Sequence, residues 1–260
     1  MKSPGANWIG WDDVAPIRAT GALMHLELEE AVKLIDNEGP LGKPIQLCPQ
    51  NGASIRSTLN SDLIDKIKAK FSSRNFHLHA NHRVIKGPSI PYDASNADTH
   101  LISCFRSLAE LSQQLSSLVY SVHAGRKNQA TRKQLISNIC RLEKIFNCPV
   151  ALEGMYPSNK DTFNICTSDD YRWLLHSGLM MAIDVSHLNI VRTREGGLDQ
   201  ELLDELLISD RCLEVHISHN NGIADAHLPL PFEPPWWWSS LVKAITARPS
   251  LPVFCESVTR

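Results

Sequence analysis

The chain has 260 residues, 43% hydrophobic and 21% charged, a composition that excludes disorder and allows a sizeable core. Its formal net charge is -2, with 26 Lys and Arg against 28 Asp and Glu, so bulk charge does not mark it as a binder of nucleic acid or membrane. Seven scattered cysteines without a C-x-x-C pair, a start (Met1-Lys2-Ser3-Pro4-Gly5) without an apolar signal region, and no long apolar run predict a reduced cytoplasmic protein with no membrane partner.

The first predicted strand covers residues 7–11, and a helical pattern follows from Met24 through Leu28, Ala31, Leu34 and Ile35 to Gly39-Pro40. Residues 44–48 form the second strand, and Ser61 caps a helix carrying Leu63, Ile64, Ile67 and Phe71 on one face. The third strand, 75–79, leads through a turn-rich loop into a helix marked by Leu101, Phe105, Leu108, Leu115 and Leu118. Strand four is 119–123, followed by a helix with Leu135, Ile136, Ile139, Leu142, Ile145 and Phe146. Strand five, 149–153, is separated by a long loop from a short helix from Tyr171 to His176 that Gly178 ends. Strand six is 180–184, its helix carries Leu202, Leu203, Leu206 and Leu207, and strand seven is 212–216. A run rich in proline and tryptophan, 229–238, leads to a helix with Leu241 and Ile245, and strand eight is 252–256.

Eight strands alternating with seven helices imply a parallel sheet with right-handed crossovers, closed as a single (β/α)8 barrel domain over residues 1–260. No G-x-G-x-x-G follows the first strand, which argues against a dinucleotide-binding sheet. The chain stops four residues past Glu256, leaving no room for a helix after strand eight. That predicts an exposed flank beside strands one and eight for the N-terminal segment, or a second subunit in a homodimer, to cover.

Strands three to eight end in His79, His123, Glu153, Asp184, His216 and Glu256, every one a metal-ligand type. The C-terminal strand ends of a (β/α)8 barrel share one mouth, and buried carboxylates there must be paired or ligate metal. His187, Asp225 and His227, in the loops that follow, bring the candidate ligands to nine. His77 shares the inward parity of His79 and reads as a core histidine near Glu214, whereas His25, His100 and His176 read as solvated helix residues. Basic residues predicted on the mouth loops are Arg83, Lys86, Arg126, Lys127, Arg192 and Arg194, with His82 beside Arg83. Arg192 and Arg194, placed on a loop beyond His187, would grip a phosphate bidentately. Trp236, Trp237 and Trp238 would either form a stacking platform for a base or sugar ring or staple the final helix to the barrel.

The segments Leu78-His79-Ala80, Val122-His123-Ala124-Gly125, Leu152-Glu153-Gly154, Ile183-Asp184-Val185-Ser186-His187, Val215-His216-Ile217-Ser218, Asp225-Ala226-His227-Leu228-Pro229 and Cys255-Glu256-Ser257 together resemble the xylose-isomerase-like TIM-barrel superfamily. The resemblance implies one of two chemistries. In the branch of endonuclease IV type abasic-site nucleases, with up to three zinc ions, His79, His123 and Glu153 would bind one metal, with Glu153 bridging to a second held by Asp184, His216 and Glu256. His187, Asp225 and His227 would hold the third, and a metal-bound hydroxide would attack phosphorus in DNA. In the sugar and sugar-phosphate isomerase and epimerase branch, Glu153, Asp184, His216 and Glu256 would hold one divalent ion, Mn or Mg. Glu153 and Glu256 would then move a proton across an enediolate, and His187 would touch a substrate hydroxyl. A multinuclear iron oxidase on the same barrel uses a similar ligand set, and a non-catalytic binding module is the remaining class. Phosphodiester hydrolysis is the leading expectation, with Arg192, Arg194, His82, Arg83 and Trp236 as the substrate contacts.

Overall fold

Successive side chains of a strand point to opposite faces, so each strand separates its apolar residues from its small or polar ones. That separation decides what this barrel keeps inside. The computed structural model describes residues 17–18, 44–48, 61–72, 74–80, 83–84, 90–91, 93–97, 101–159 and 162–257. In chain order the elements are β1 (Ile17–Arg18), β2 (Ile45–Leu47), α1 (Ser61–Lys70), β3 (Phe76–His79), β4 (Arg83–Val84), β5 (Ile90–Pro91), α2 (Ile102–Gln114), β6 (Val119–His123) and α3 (Arg132–Phe146). There follow β7 (Val150–Glu153), α4 (Ser168–His176), β8 (Met180–Asp184), α5 (Val185–Glu195), α6 (Gln200–Ile208), β9 (Cys212–Ile217), α7 (Trp238–Ala247) and β10 (Val253–Cys255).

Eight of the strands form one parallel sheet in the order β1-β10-β9-β8-β7-β6-β3-β2. The end strands β1 and β2 approach within 8 Å between Cα atoms, so the sheet curls into a nearly closed TIM barrel. Among the described residues no helix follows β10. On the outer face Leu47, Leu78, Tyr120, Val122, Leu152, Ile183 and Val215 are fully buried and share one apolar cluster with the helices. Tyr120 stacks on Phe146 of α3 with ring centroids 3.7 Å apart. Each such aliphatic or aromatic side chain contributes about 1.5–3 kcal/mol by leaving water. The inner face instead carries Gln46, His77, Ser121, Glu214 and His216, above a small apolar cluster of Val119, Ala151 and Ala182. Hydrophobic stability thus comes from the layer between sheet and helices, leaving the interior available for polar chemistry.

Two predicted features differ from the structure, and two others fall outside the residues it describes. The strand expected over residues 7–11 and the helix from Met24 to Ile35 lie outside the described residues, and the strand that pairs with β10 is Ile17–Arg18. The loop after β3 contains an antiparallel ribbon, with Arg83 opposite Pro91 and Val84 opposite Ile90. The segment after Asp184 is helix α5, not loop, and it places Arg192 and Arg194 in its last turn. Its sequence hides the helix because Val185, Ser186, His187, Leu188, Ile190 and Val191 are all buried, so its buried positions follow no one-sided apolar stripe.

Candidate metal centre

Six of the nine candidate ligands arrive by strand geometry. His79, His123, Glu153 and Asp184 are the last residues of β3, β6, β7 and β8, and His216 is the last but one of β9. Glu256 follows β10 directly, and its N–H donates to Ile217 O at 2.9 Å, which extends the ladder to the mouth. Parallel register sets the neighbours, pairing His123 with Glu153 and Asp184 with His216. Glu153, Asp184 and His216 are at most 1% exposed.

Asp184 is also the N-cap of α5. Its Oδ1 accepts from the N–H groups of Ser186 (2.6 Å) and His187 (3.2 Å), satisfying orphan donors of the first turn. With Oδ1 held by the helix, Oδ2 is left facing His187 Nε2 at 3.5 Å. His187 lies in that first turn, and the contact of its Nδ1 with Gly154 O at 2.8 Å turns Nε2 toward Asp184 and Asp225.

The loop between β9 and α7 delivers Asp225 and His227. A short antiparallel bridge, His219 N to Leu228 O (3.0 Å) and Leu228 N to His219 O (2.8 Å), closes it. Asn220 ties it to α5, donating to Ser186 O (2.8 Å) and accepting from Asn189 (2.9 Å) and from Gly222 N (2.9 Å). Gly222 has φ +76°, and a Cβ there would run into the Thr193 side chain on α5, so both conformation and close approach require glycine. His227 itself adopts φ +45°, uncommon for a non-glycine residue and frequent at functional sites.

Together these elements bring all nine candidates to one mouth. Glu153 Oε2 lies 2.8 Å from His79 Nε2 and 3.6 Å from His123 Nε2, while Oε1 lies 3.6 Å from His216 Nδ1 and 3.5 Å from His187 Nδ1. Glu256 approaches His216 Nδ1 (3.5 Å) and His227 Nδ1 (3.7 Å), and Asp225 Oδ2 lies 3.4 Å from His187 Nε2 and 3.0 Å from His227 Nε2. Burial alone would raise Glu153, but the His123, His79 and His216 imidazoles hold its carboxyl well below the usual range. Burial pushes Glu256 up, with Asp184 and Glu153 adding to the rise. Burial opposes a charge on His227, yet Asp225 and Glu256 lift its pKa to about 9.

These contacts fit a divalent ion. Three sets, His79 with Glu153 and His216, Glu153 with Asp184 and His187, and Asp184 with His216 and Glu256, each present ligand atoms within 4.8 Å of one another. The buried Nδ1 atoms of His216 and His227, both turned toward Glu256, have no hydrogen-bond partner, a costly state for buried polar atoms unless something else occupies them. Imidazole and carboxylate donors suit Zn, Mn and Fe.

The candidate substrate residues are distributed differently. His82 and Lys86 lie outside the described residues, and Arg83 is described only as backbone in β4. Arg192 and Arg194 are exposed on α5, and the Arg192 guanidinium sits 5.2 Å over the Trp236 ring, whose Nε1 donates to Asn189 Oδ1 at 2.8 Å. Lys127 pairs with Asp170 at 3.3 Å. Trp237 and Trp238 are buried in the core and staple α7, leaving only Trp236 half-exposed. His77 is buried against Glu214, as its parity implies, and His176 is exposed. Sequence reasoning missed Gln46 and Tyr156. Gln46 is a polar residue at inward parity in β2, a signal that was available. The Tyr156 ring lies 4.9 Å from the His187 ring at the mouth.

No protein-family model matches the sequence, and neither does any curated protein. Solved structures do match. A D-tagatose 3-epimerase-like protein aligns at 15% identity over 93% of this chain and 90% of its own, with a TM-score of 0.62. An AP endonuclease, family 2, from Brucella melitensis aligns at 13% identity over 84% and 83%, with a TM-score of 0.58. Endonuclease IV from Thermus thermophilus aligns at 15% identity over 97% and 90%, with a TM-score of 0.52. With its parallel barrel and its similarity to both epimerase-like and endonuclease structures, the chain has a TIM-barrel fold.

Proposed function

We propose that the protein is an enzyme, a metal-dependent phosphodiester hydrolase of the abasic-site endonuclease kind, acting on DNA with up to three zinc ions. The observation that carries this reading is the division of Glu153. Its Oε2 faces His79 and His123 while its Oε1 faces His187 and His216, the arrangement of a carboxylate shared between two centres. One ion at Asp184, His216 and Glu256 would leave His79 and His123 without a task. Asp225, between His187 and His227, offers a third position.

Bound divalent ions supply an activated water and neutralise charge on a phosphate. The chain's own residues arrange the rest. Asp184, clamped by the start of α5, aims one oxygen at the centre, and the contact with Gly154 O turns His187 to face it. Arg192 of α5 stacks on Trp236, a residue of the same loop that carries Asp225 and His227, and the pair offers a cation for phosphate and a ring for a base. The proposed compartment is the cytoplasm, in line with seven cysteines of which none is in a disulfide.

A second reading, a sugar or sugar-phosphate epimerase or isomerase, is favoured by one observation. Glu153 and Glu256 both approach His216 Nδ1, at 3.6 and 3.5 Å, so two carboxylates face one centre, as an acid and base pair requires. The decisive experiment combines zinc content with turnover. The hydrolase reading expects close to three zinc equivalents, loss of one or more in His123→Ala, and nicking of abasic-site DNA. One equivalent retained in His123→Ala, with turnover of a ketose, would establish the epimerase reading instead.

A further inference from the structure

Below the His216 imidazole lies a buried polar cluster that hydrolysis does not call on. Glu214, two residues earlier on β9, is fully buried and meets groups from two other strands. Gln46 of β2 donates from Nε2 to Glu214 Oε1 at 2.9 Å, His216 Nε2 lies 3.0 Å from the same oxygen, and His77 Nδ1 of β3 lies 2.5 Å from Oε2. A barrel interior is held together at least as well by apolar side chains, because each buried charge costs several kcal/mol of desolvation before its partners offset it. The cluster therefore calls for a reason other than packing.

Its geometric effect falls on His216. One ring nitrogen, Nε2, is turned onto the carboxylate, and the other, Nδ1, has no hydrogen-bond partner and faces Glu256 Oε1 at 3.5 Å and Glu153 Oε1 at 3.6 Å. Gln46 Nε2 is also 2.9 Å from His216 Nε2, so two nitrogens crowd one oxygen of Glu214. The amide cannot reverse without setting its own oxygen against the carboxylate. A hydrogen bond to a carboxylate is about twice as strong as one between neutral groups, so the Nε2 proton of His216 is directed at Glu214 and not replaced by one from Gln46.

We propose that Glu214, held in place by Gln46 and His77, is a positioning residue that keeps the proton of His216 on Nε2 and presents Nδ1 as the metal-binding atom. Outer partners of this kind orient a ligating imidazole and raise its basicity, and losing one typically costs about 10 to 100-fold in metal affinity. The proposal rests on the reading of His216 as a metal ligand, and it deepens the proposed function by assigning a role to residues that touch neither metal nor substrate.

The test uses zinc alone as the probe. In zinc-loaded, 15N-histidine-labelled wild-type protein, long-range 1H–15N spectra should show His216 protonated at Nε2 with zinc at Nδ1. Glu214→Gln keeps the side-chain volume and removes the charge. Competition with a chromophoric chelator should show zinc affinity reduced by about 10 to 100-fold, and Glu214→Asp, which restores the carboxylate, should recover part of that loss. Zinc at Nε2 of His216, or wild-type affinity in a folded Glu214→Gln, would overturn the proposal. Should Glu214→Gln fail to fold, the wild-type spectrum still decides. Zinc at Nδ1 without cleavage of abasic-site DNA would sink the hydrolase reading and leave this one standing.

Discussion

Asp184 does two things that substitution can separate. Its Oδ1 caps α5 through the Ser186 and His187 N–H groups, and its Oδ2 faces the centre. Asp184→Ala removes both. Loss of a capping side chain costs about 0.5–2 kcal/mol, and loss of a negative charge at a helix N-terminus about 0.3–1 kcal/mol. Their sum, about 2 kcal/mol, corresponds to a fall of roughly 4–8 °C in Tm at 2–4 °C per kcal/mol for a chain of this size. Asp184→Asn keeps an oxygen for the two N–H groups and loses only the charge, so the expected fall is about 1–4 °C. Glu256 is pushed up partly by Asp184, and relief of that repulsion makes the smaller figure smaller still. For metal the two variants should be alike. A pair of unit charges 4 Å apart at an effective dielectric constant near 20 interacts by about 4 kcal/mol. Both variants should therefore lose on the order of 10²–10³-fold in zinc affinity, at about 1.4 kcal/mol per decade. Thermal unfolding in the presence of chelator reads the first effect, because bound metal would add its own stabilisation, and zinc competition reads the second. Equal Tm losses in the two variants would refute the capping argument, and wild-type zinc affinity in Asp184→Asn would refute the assignment of Oδ2.

Two further outcomes follow from the same geometry. Gly222→Ala places a Cβ at φ +76° against Thr193, and should destabilise the protein by about 1–3 kcal/mol; adding Thr193→Ala should recover the steric part and leave the conformational part, which a double-mutant cycle of melting temperatures would measure. Asp170 is buried, which raises its pKa, yet Thr167, the Cys166 N–H, Lys127 and Arg132 together hold it below the usual aspartate value. A depressed pKa contributes stability that is present above the unfolded value of about 3.9 and disappears as pH falls through the folded one. Stability of the wild type should thus climb with pH through the acid range more steeply than that of Asp170→Asn, and parallel acid limbs in denaturant titrations would contradict the ion-pair account.

Much of the centre was legible because a strand has period two and a barrel has one mouth. His79, His123, Glu153 and Asp184 could be placed from the strand ends alone, and Glu153 and Asp184 proved to be nearly inaccessible to solvent. The reading failed where local pattern carries no period. Helix α5 begins inside the mouth and is buried through its first turn, so no amphipathic stripe announces it, and the arginines assigned to a loop ride on its last turn. The antiparallel ribbon after β3 pairs only two residues on each side, too few to alternate visibly. In the run of three tryptophans, burial of Trp237 and Trp238 depends on where α7 docks, which composition does not reveal. Gln46 carried a signal, polar at inward parity in an apolar strand, but its partner Glu214 lies 168 residues away in sequence.

The ladder of parallel strands has a consequence for how the centre comes into being. Six of its nine candidate ligands are drawn from strand ends between His79 and Glu256, and neighbouring ends such as His123 and Glu153 come from strands separated by whole helices. No short fragment can assemble them, because each added strand must close another long loop before its side chain reaches the mouth. On the proposed reading, metal affinity would therefore be a property of the finished barrel. An ion present at about 100 times its dissociation constant would add about 2.7 kcal/mol to the folded state alone, coupling the last step of folding to the first condition for chemistry.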